Sequence, residues 1–222
     1  MAQADTLNKN QLPIFIKFFL RPRNLVFWVV LIVVCYLFID KPLAIYLQRF
    51  NGTGLRLFAH YATKLGAGWI NLSVAVILLA ISFISHTKKI KAFAFFLISA
   101  LISTGVVCGV IKIVIGRARP FLFFHHDLYG FYFLKFSPHY WSLPSGHTTI
   151  ISASMTALVL VWPRFEVLAM AAIVLVALCR LILEQHFLSD VLVGVMLGVE
   201  VTFFVFQQLI TYTKLRENLL TS

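Results

Sequence analysis

The sequence predicts an all-α integral-membrane protein, a bundle of six transmembrane helices with an interfacial helical segment between the first and second. Of its 222 residues, 60% are hydrophobic and only 12% are charged, whereas soluble domains carry about 25% charged residues. Apolar stretches suited to a hydrocarbon core of about 30 Å recur along the chain. They lie at 25–39, 69–85, 92–115, 148–162, 165–183 and 191–210.

The first apolar stretch follows a basic segment, residues 1–24, and no small-residue cleavage pattern comes after it. We therefore expect a retained helix rather than a removed signal peptide. Basic residues in 1–24, at 88–91, at 164 and at 214–216 all fall on one side of a six-helix topology. The positive-inside rule makes that side cytoplasmic, although the total numbers of Lys and Arg on the two sides are nearly equal.

Two connecting segments are amphipathic or aromatic rather than simply polar. Residues 41–65 alternate apolar side chains with cations and histidine around the turn at 51–54, which predicts two short interfacial helices. Residues 116–147 are rich in Phe, Tyr and His, a composition suited to a loop at the level of the lipid headgroups. The fourth apolar stretch, 148–162, is short for a membrane crossing.

Several function classes are disfavoured by composition. The net charge of +11 is spread over loops, with no soluble domain to present a basic face to nucleic acid. Cys35, Cys108 and Cys179 are odd in number, lie in or beside apolar stretches and match no metal-ligand spacing, which argues against disulfides and zinc. His125, His126 and Asp127 could form a metal site, but adjacent histidines in an aromatic loop bind metal poorly without further ligands. We therefore expect this loop to recognise the lipid headgroup or to gate it.

The first polar cluster is KIVIGRARP, residues 112–120. Lys112 and Arg119 are seven residues apart, two helical turns, and are therefore expected on one helix face, with Pro120 ending the helix. Arg117 could either act together with Lys112 and Arg119 or contact lipid headgroups. The alternative for the whole cluster is a girdle of snorkelling cations, which three cations in so short a segment disfavour.

The second cluster lies in WSLPSGHTTI, residues 141–150. Ser145 is suited to cap a helix that starts at Gly146 or His147, and the free N–H groups of that helix end would bind an anion. Taken in isolation, Pro-Ser-Gly is better explained by a simple turn with a helix cap. Neither a turn nor a cap needs His147.

The third cluster is CRLILEQHFLSD, residues 179–190. His186 and Asp190 are one helical turn apart, so the carboxylate can accept a hydrogen bond from one imidazole nitrogen and leave the other free. Arg180 lies on a different helix face from His186, so the chain must bend for both side chains to reach one ligand. No Gly or Pro between them indicates such a bend. The alternative is a surface loop in which Arg180 pairs with Glu184 and Ser189 caps a helix.

All three clusters reach the same face of a six-helix topology. Ionisable groups so close to hydrocarbon are costly and are usually functional. Four cations, two histidines and a carboxylate at one face together predict a phosphate pocket.

The combined pattern resembles the signature of the type 2 phosphatidic acid phosphatase family, which also includes vanadium haloperoxidases, glucose 6-phosphatases and bacterial lipid phosphatases. The motifs cover residues 112–190 and the six-span layout extends the likeness over most of the chain. The family commonly has Ser at the position of Cys179. Because a thiol donates hydrogen bonds weakly, we expect lower phosphate affinity there.

The resemblance implies a single phosphatase domain over 1–222, with a cytoplasmic segment 1–24, a catalytic region 112–190 and an active site at the outer membrane face. His186 would attack phosphorus, Asp190 would orient it, and His147 would act as acid and base. No metal or other cofactor is implied. The phosphate-binding residues would be Lys112, Arg119, Ser145, Gly146 and Arg180.

The resemblance further implies a lipid substrate in the bilayer, with a phosphate monoester or terminal diphosphate to hydrolyse. Candidates are phosphatidylglycerol phosphate, phosphatidic acid, undecaprenyl diphosphate and the 1-phosphate of lipid A. A bacterial inner membrane, with the site facing the periplasm, is the expected location. The alternative is a transporter or channel that uses the same cations only to bind an anion, and such a protein has no need of the His186 and Asp190 pair.

Overall fold

The computed structural model describes residues 12–212 and Leu219, and over this part of the chain it contains helices and no β-strand. A single isolated β-bridge joins Arg117 to Phe131. The α-helices are α1 (Ile14–Leu20), α2 (Pro22–Val34), α3 (Asp40–Leu47), α4 (Gly54–Ala62), α5 (Gly68–Ile84), α6 (Lys88–Ile115), α7 (Pro120–His126), α8 (Gly146–Val161), α9 (Glu166–Ile182) and α10 (Leu188–Tyr212).

The first apolar stretch is longer than predicted. A π-helical turn, Cys35–Ile39, joins α2 to α3, and the helix runs without a break over Pro22–Phe50. The first of the two expected interfacial helices is therefore the end of this long helix. The second is α4, which continues as a 3-10 turn, Thr63–Gly66, and meets α5 at an angle of 45°.

Four helical ranges in the described residues are long and apolar enough to cross a membrane: Pro22–Phe50, Lys88–Ile115, Pro163–Ile182 and Leu188–Thr211. A fifth results if Gly54–Gly66 and Gly68–Ile84 count together as one bent span. Helix α8 has 16 residues and falls short of that length. Each of the six predicted apolar stretches therefore coincides with a helix. The lengths and compositions of these helices, however, support only four or five membrane crossings in the described residues.

Helix α8 is short and comparatively polar because other helices surround it. It packs against α5, α6, α9 and α10. Most of its side chains are buried, including those of Thr149, Ser152 and Thr156. Protein rather than lipid therefore contacts these hydroxyl groups.

Helices α8 and α10 approach each other closely through a Gly-x-x-x-Gly pair on α10. A Cβ atom on Gly194 would lie 2.9 Å from the carbonyl oxygen of Ser145, and one on Gly198 would lie 2.5 Å from that of Thr149. The contacts advance in the same direction along both helices, so the helices are parallel. Their N-termini consequently lie at the same end of the bundle.

The loop after α6 folds back over the end of that helix. Backbone N–H groups of residues 132–135 donate to the carbonyl oxygens of residues 116, 115, 114 and 113 in turn. These carbonyls are among those left without partners where a helix ends. The chain reverses at Gly116, which has a φ of 57°. The loop is thereby fixed beside the N-termini of α8 and α10.

Candidate active site

A cavity of about 930 Å³ lies at this end of the bundle, between α6, α8, α9 and α4. It brings together six side chains or backbone segments from all three sequence clusters: Lys112, Arg119, Gly146, His147, Arg180 and His186. Asp190 and Ser145, which were also predicted for the site, are completely buried behind this lining.

The three predicted cations of the cavity have no carboxylate within 4.0 Å among the described residues. Arg180 is only 7% exposed, and its Nη1 lies 3.4 Å from Thr63 Oγ1. Its Nε has no hydrogen-bond partner in the part of the chain that the structure describes. Lys112 Nζ donates to the carbonyl oxygens of Trp141 at 2.9 Å and Pro144 at 2.5 Å. Arg119 Nη1 donates to Gln185 Oε1 at 3.0 Å.

This arrangement leaves net positive charge around the cavity. Burial lowers the pKa of Arg119 and the charge of Asp190 offsets this only in part, which shows the cost of placing cations here. Buried charge without a partner is unfavourable, so a bound anion would stabilise the site.

His186 is held by a carbonyl group. Its Nδ1 lies 2.7 Å from the carbonyl oxygen of Ser142. Since a carbonyl oxygen only accepts hydrogen bonds, Nδ1 carries the proton and Nε2 is the nitrogen with a free lone pair. The ring is 4% exposed and forms part of the cavity wall.

The predicted direct hydrogen bond between His186 and Asp190 is wrong. The closest nitrogen, Nδ1, lies 3.9 Å from Asp190 Oδ2. The reason is that Asp190 Oδ2 already accepts from Ser142 Oγ at 2.5 Å and from the N–H of Phe187 at 2.8 Å. Asp190 is therefore connected to His186 through Ser142, whose hydroxyl donates to the carboxylate and whose carbonyl accepts from the ring.

Burial lowers the pKa of His186 well below its usual value, and the charges of Arg180, Lys112 and Arg119 lower it further. The hydrogen bond to Ser142 opposes this shift but is the weakest contribution. The imidazole is consequently neutral at pH 7. A neutral ring with a free Nε2 can act as a nucleophile or a base.

Arg117 belongs to a buried ion network rather than to the cavity wall. Its Nη1 donates to Asp190 Oδ1 at 2.5 Å and to Ser189 Oγ at 2.6 Å, while its Nη2 donates to Asp40 Oδ2 at 2.7 Å. The side chain is 1% exposed. Burial alone would lower the pKa of Arg117, but the two carboxylates outweigh burial and raise it. The sequence left two alternatives open for Arg117, contact with the phosphate or with lipid headgroups. The structure shows neither, because Arg117 pairs with two buried carboxylates.

Asp40 is a part of this network that the sequence did not reveal. It accepts a hydrogen bond from the N–H of Ser189 at 3.0 Å, in the first turn of α10, and the Ser189 hydroxyl also donates to it. It is 1% exposed. The one available signal was a carboxylate placed directly after an apolar stretch, where an unpaired charge would be costly.

Lys112 and Arg119 do not share a helix face. Helix α6 ends at Ile115, the left-handed Gly116 follows, and Arg119 lies in extended backbone. Pro120 begins α7 instead of ending α6, since proline suits the first position of a helix. The two cations meet at the cavity because the loop returns, and not through helical periodicity.

Helix α8 begins at Gly146, with Ser145 in the preceding position, as predicted. The Ser145 hydroxyl does not cap the helix backbone. It pairs with Thr148 Oγ1 at 2.9 Å, and the Ser145 N–H donates to the carbonyl oxygen of Asp190 at 3.0 Å. By position, the N–H groups of Gly146 and His147 have no carbonyl partner within the helix, so they remain available to an anion.

The bend that brings Arg180 and His186 together occurs without glycine or proline. Glu184 adopts a left-handed conformation with a φ of 53°. The alternative ion pair between Arg180 and Glu184 is absent from the described ion pairs, because Glu184 Oε1 lies 3.7 Å from Arg56 Nη1 instead. Cys179 is buried against Ala59 and Leu183 and does not line the cavity. No direct contact between its thiol and a phosphate in the cavity therefore supports the expected effect on phosphate affinity.

One wall of the cavity was not predicted from the sequence. Arg56, His60, Thr63 and Lys64, from α4 and the turn after it, line the cavity opposite the predicted cations. Arg56, His60 and Lys64 are spaced four residues apart, which places their side chains on one helix face.

Two other motifs lie apart from the cavity. His125, His126 and Asp127 are exposed at the end of α7, and the described residues contain no group of three or more His, Cys, Asp or Glu arranged to hold a metal ion. Glu200 lines a separate groove with Ser103 and Val107, between α10 and α6.

The family model of the PAP2 superfamily matches residues 93–214, more than half of the chain. The chain belongs to the PAP2 superfamily. The resemblance inferred from the three clusters is thereby confirmed.

PAP2 relatives include two lipid A 1-phosphatases. The one from Rhizobium etli is 35% identical over 105 residues, 46% of this chain and 44% of the relative. The one from Rhizobium johnstonii is 36% identical over 115 residues, 51% of this chain and 45% of the relative. The chain thus matches less than half the length of these relatives.

A more distant PAP2 relative is an undecaprenyl-diphosphatase from Sulfolobus acidocaldarius, 28% identical over 144 residues, which cover 64% of this chain and 65% of the relative. The fold is shared with the crystal structure of a transmembrane PAP2 type phosphatidylglycerolphosphate phosphatase from Bacillus subtilis. That comparison gives a TM-score of 0.56 at 23% identity and covers 82% of this chain and 92% of the other.

Proposed function

We propose that this PAP2 protein is an integral-membrane lipid phosphatase, which hydrolyses a phosphate monoester or the terminal phosphate of a lipid diphosphate. One observation carries the proposal: the same cavity is lined by a neutral, oriented histidine and by three predicted cations that have no carboxylate partner among the described residues. The phosphatase and diphosphatase names of the relatives agree with it.

In the first step, Nε2 of His186 attacks phosphorus, the P–N bond forms, and the P–O bond to the lipid breaks. His147 donates a proton to the leaving oxygen. Lys112, Arg119 and Arg180, with the N–H groups of Gly146 and His147, hold the phosphoryl oxygens while charge moves between them.

In the second step, water attacks the phosphohistidine. His147 accepts a proton from this water, the P–N bond breaks, and inorganic phosphate is released. Asp190 and Ser142 keep Nδ1 of His186 protonated throughout, so that Nε2 remains the reacting nitrogen. The cations neutralise the phosphoryl group, a task that bound magnesium performs in many other phosphoryl-transfer enzymes.

The proposal includes the membrane arrangement. We count α8, shielded by its neighbours, as a sixth crossing, and place the single domain over 1–222 in a bacterial inner membrane with the cavity at the periplasmic face. The exposed aromatic side chains of the loop beside the cavity suit the headgroup region. They are Phe121, Phe131, Phe133 and Phe136.

The substrate candidates are phosphatidylglycerol phosphate, phosphatidic acid, undecaprenyl diphosphate and the 1-phosphate of lipid A. A panel of these lipids, with released phosphate as the readout, tests the proposal. The wild-type protein should hydrolyse at least one of them, and His186→Ala should abolish phosphate release while the protein remains folded.

His125→Ala is the matched control, because His125 is exposed and lies outside the cavity. It should retain activity. Phosphate release by His186→Ala at the wild-type rate would remove the nucleophile assignment. Anion uptake into vesicles without any hydrolysis would favour the transporter alternative.

The role of His147 has a separate test. His147→Ala should hydrolyse lipid phosphates slowly but recover with an aryl phosphate, whose leaving group needs no proton. Equal losses with good and poor leaving groups would argue against an acid at this position.

A further inference from the structure

The cavity is larger than a single phosphoryl group requires. Its volume of about 930 Å³ lies near the top of the range of about 300–1,000 Å³ for pockets that enclose whole small molecules. The additional space lies against α4, where Arg56, His60 and Lys64 form a stripe with a spacing of four residues. We call these three residues the α4 stripe.

The α4 stripe lies next to the cations that hold the first phosphate. Thr63, beside Lys64 in sequence, has its hydroxyl 3.4 Å from Nη1 of Arg180. Gly66 packs so closely on His147 that a Cβ atom there would lie 2.6 Å from the His147 carbonyl oxygen. A group bound by the stripe would therefore be adjacent to a phosphate held by Arg180 and to the proposed acid.

The members of the α4 stripe differ in how far they are already paired. Arg56 contacts Glu184 at 3.7 Å and also donates to Asn51. Lys64 has no carboxylate within 4.0 Å among the described residues, and its ammonium lies 4.9 Å from the ring centre of Tyr61. His60 and Lys64 are both exposed at the cavity. These two side chains can therefore bind an anion without first losing an internal ion pair.

We propose that His60 and Lys64 bind a second phosphate, directly adjacent to the one that is hydrolysed, so that the preferred substrate class is a lipid diphosphate. This inference rests on the proposed function. The terminal phosphate lies among Lys112, Arg119 and Arg180, and the inner phosphate lies against the α4 stripe. When the P–O bond between the two phosphates breaks, His147 protonates the leaving oxygen, and the inner phosphate leaves as a lipid monophosphate whose remaining negative charge faces Lys64.

The test compares the diphosphate and monophosphate of the same polyprenol. The wild-type protein should have the higher kcat/KM for the diphosphate. Because exposed ion pairs contribute modestly, Lys64→Gln and His60→Gln should each lower kcat/KM for the diphosphate by about threefold to fivefold. The same variants should change kcat/KM for the monophosphate by less than about twofold.

Arg49→Gln is the matched control, since Arg49 precedes α4, stacks on Tyr46 and does not line the cavity. It removes the same charge from the same segment and should affect neither substrate. Equal losses for both substrates in Lys64→Gln, or equal losses in Arg49→Gln, would overturn the second phosphate site in favour of general attraction to anionic lipid.

A binding measurement separates failure of this inference from failure of the proposed function. Methylenediphosphonate should raise the unfolding temperature of the detergent-solubilised protein more than methylphosphonate does, and Lys64→Gln should remove the difference. Equal shifts in the wild-type protein would overturn the inference even if lipid phosphates are hydrolysed. A larger shift with the diphosphonate but no hydrolysis of any lipid would support the second site and refute the phosphatase activity.

Discussion

The orientation of His186 depends on residues that do not touch the cavity. Its Nδ1 proton is bound by the Ser142 carbonyl, the Ser142 hydroxyl binds Asp190, and Asp190 binds Arg117, which in turn binds Asp40. Each link uses a different atom, so the network can fix the ring without placing a carboxylate beside it. In the proposed mechanism, the positive charge that develops on His186 would therefore be stabilised by Asp190 at a distance rather than by a direct hydrogen bond.

Ser142→Ala should lower kcat by about tenfold with little change in KM, because it removes one charge-assisted hydrogen bond from Asp190 without altering the cavity cations. Ser142→Thr retains the hydroxyl and should restore much of the rate. Steady-state kinetics on a lipid phosphate provide the measurement. A loss confined to KM would show that Ser142 affects binding instead of the orientation of His186.

The pKa of His186 predicts how protonation depends on pH. Because burial and the three cations lower this pKa, the folded protein should keep His186 neutral as the pH falls through about 6.5, where an exposed histidine protonates. Nitrogen NMR of histidine-labelled protein should then show the neutral Nδ1–H tautomer persisting below that pH. A histidine in the unfolded chain binds a proton over the same interval, so the folded state should lose stability on acidification. Titration of His186 near 6.5 would contradict the burial and charge argument.

At the scale of helices, the position of the site depends on the contact between α8 and α10. Gly198→Ala would place Cβ 2.5 Å from the Thr149 carbonyl oxygen and 2.6 Å from Ser152 Cβ. Overpacking of this kind typically costs about 1–3 kcal/mol. It would also shift α8, which carries His147, relative to α10, which carries Asp190. We therefore expect a lower unfolding temperature and reduced activity.

Gly105→Ala in α6 is the control for this prediction, since a Cβ atom there has no neighbour within 4 Å. The same change should leave stability unchanged or raise it slightly, because alanine favours the helix more than glycine does. Similar unfolding temperatures for Gly198→Ala and the wild-type protein in detergent would show that the two helices can separate without cost.

The elements themselves were largely predictable from apolar length. The start of α8 at Gly146 was predictable from the Pro-Ser-Gly turn before the apolar stretch, although the Ser145 hydroxyl does not cap the helix. Contacts between distant residues were not. Asp40 and Ser189 are 149 residues apart, and no local pattern connects them. Periodicity failed for Lys112 and Arg119, because Gly116 ends the helix before the second cation is reached. The bend at Glu184 likewise has no glycine to mark it.

At the scale of the whole molecule, several helix ends gather at one end of the bundle and form the cavity. These are the C-termini of α6 and α9 and the N-termini of α8 and α10. The turn between α5 and α6 lies at the opposite end, since both helices run the length of the bundle. If the protein is oriented as proposed, the two ends face different compartments.

Cysteine labelling tests this orientation, and the native sequence suits it because Cys35, Cys108 and Cys179 are all buried. His126→Cys introduces an exposed thiol at the cavity end, and Lys88→Cys introduces one at the opposite end. A membrane-impermeant maleimide added to intact bacterial spheroplasts should label His126→Cys, whereas Lys88→Cys should react only after the membrane is permeabilised. The reverse pattern would place the cavity in the cytoplasm, and a substrate in the outer leaflet would then be unable to reach His186.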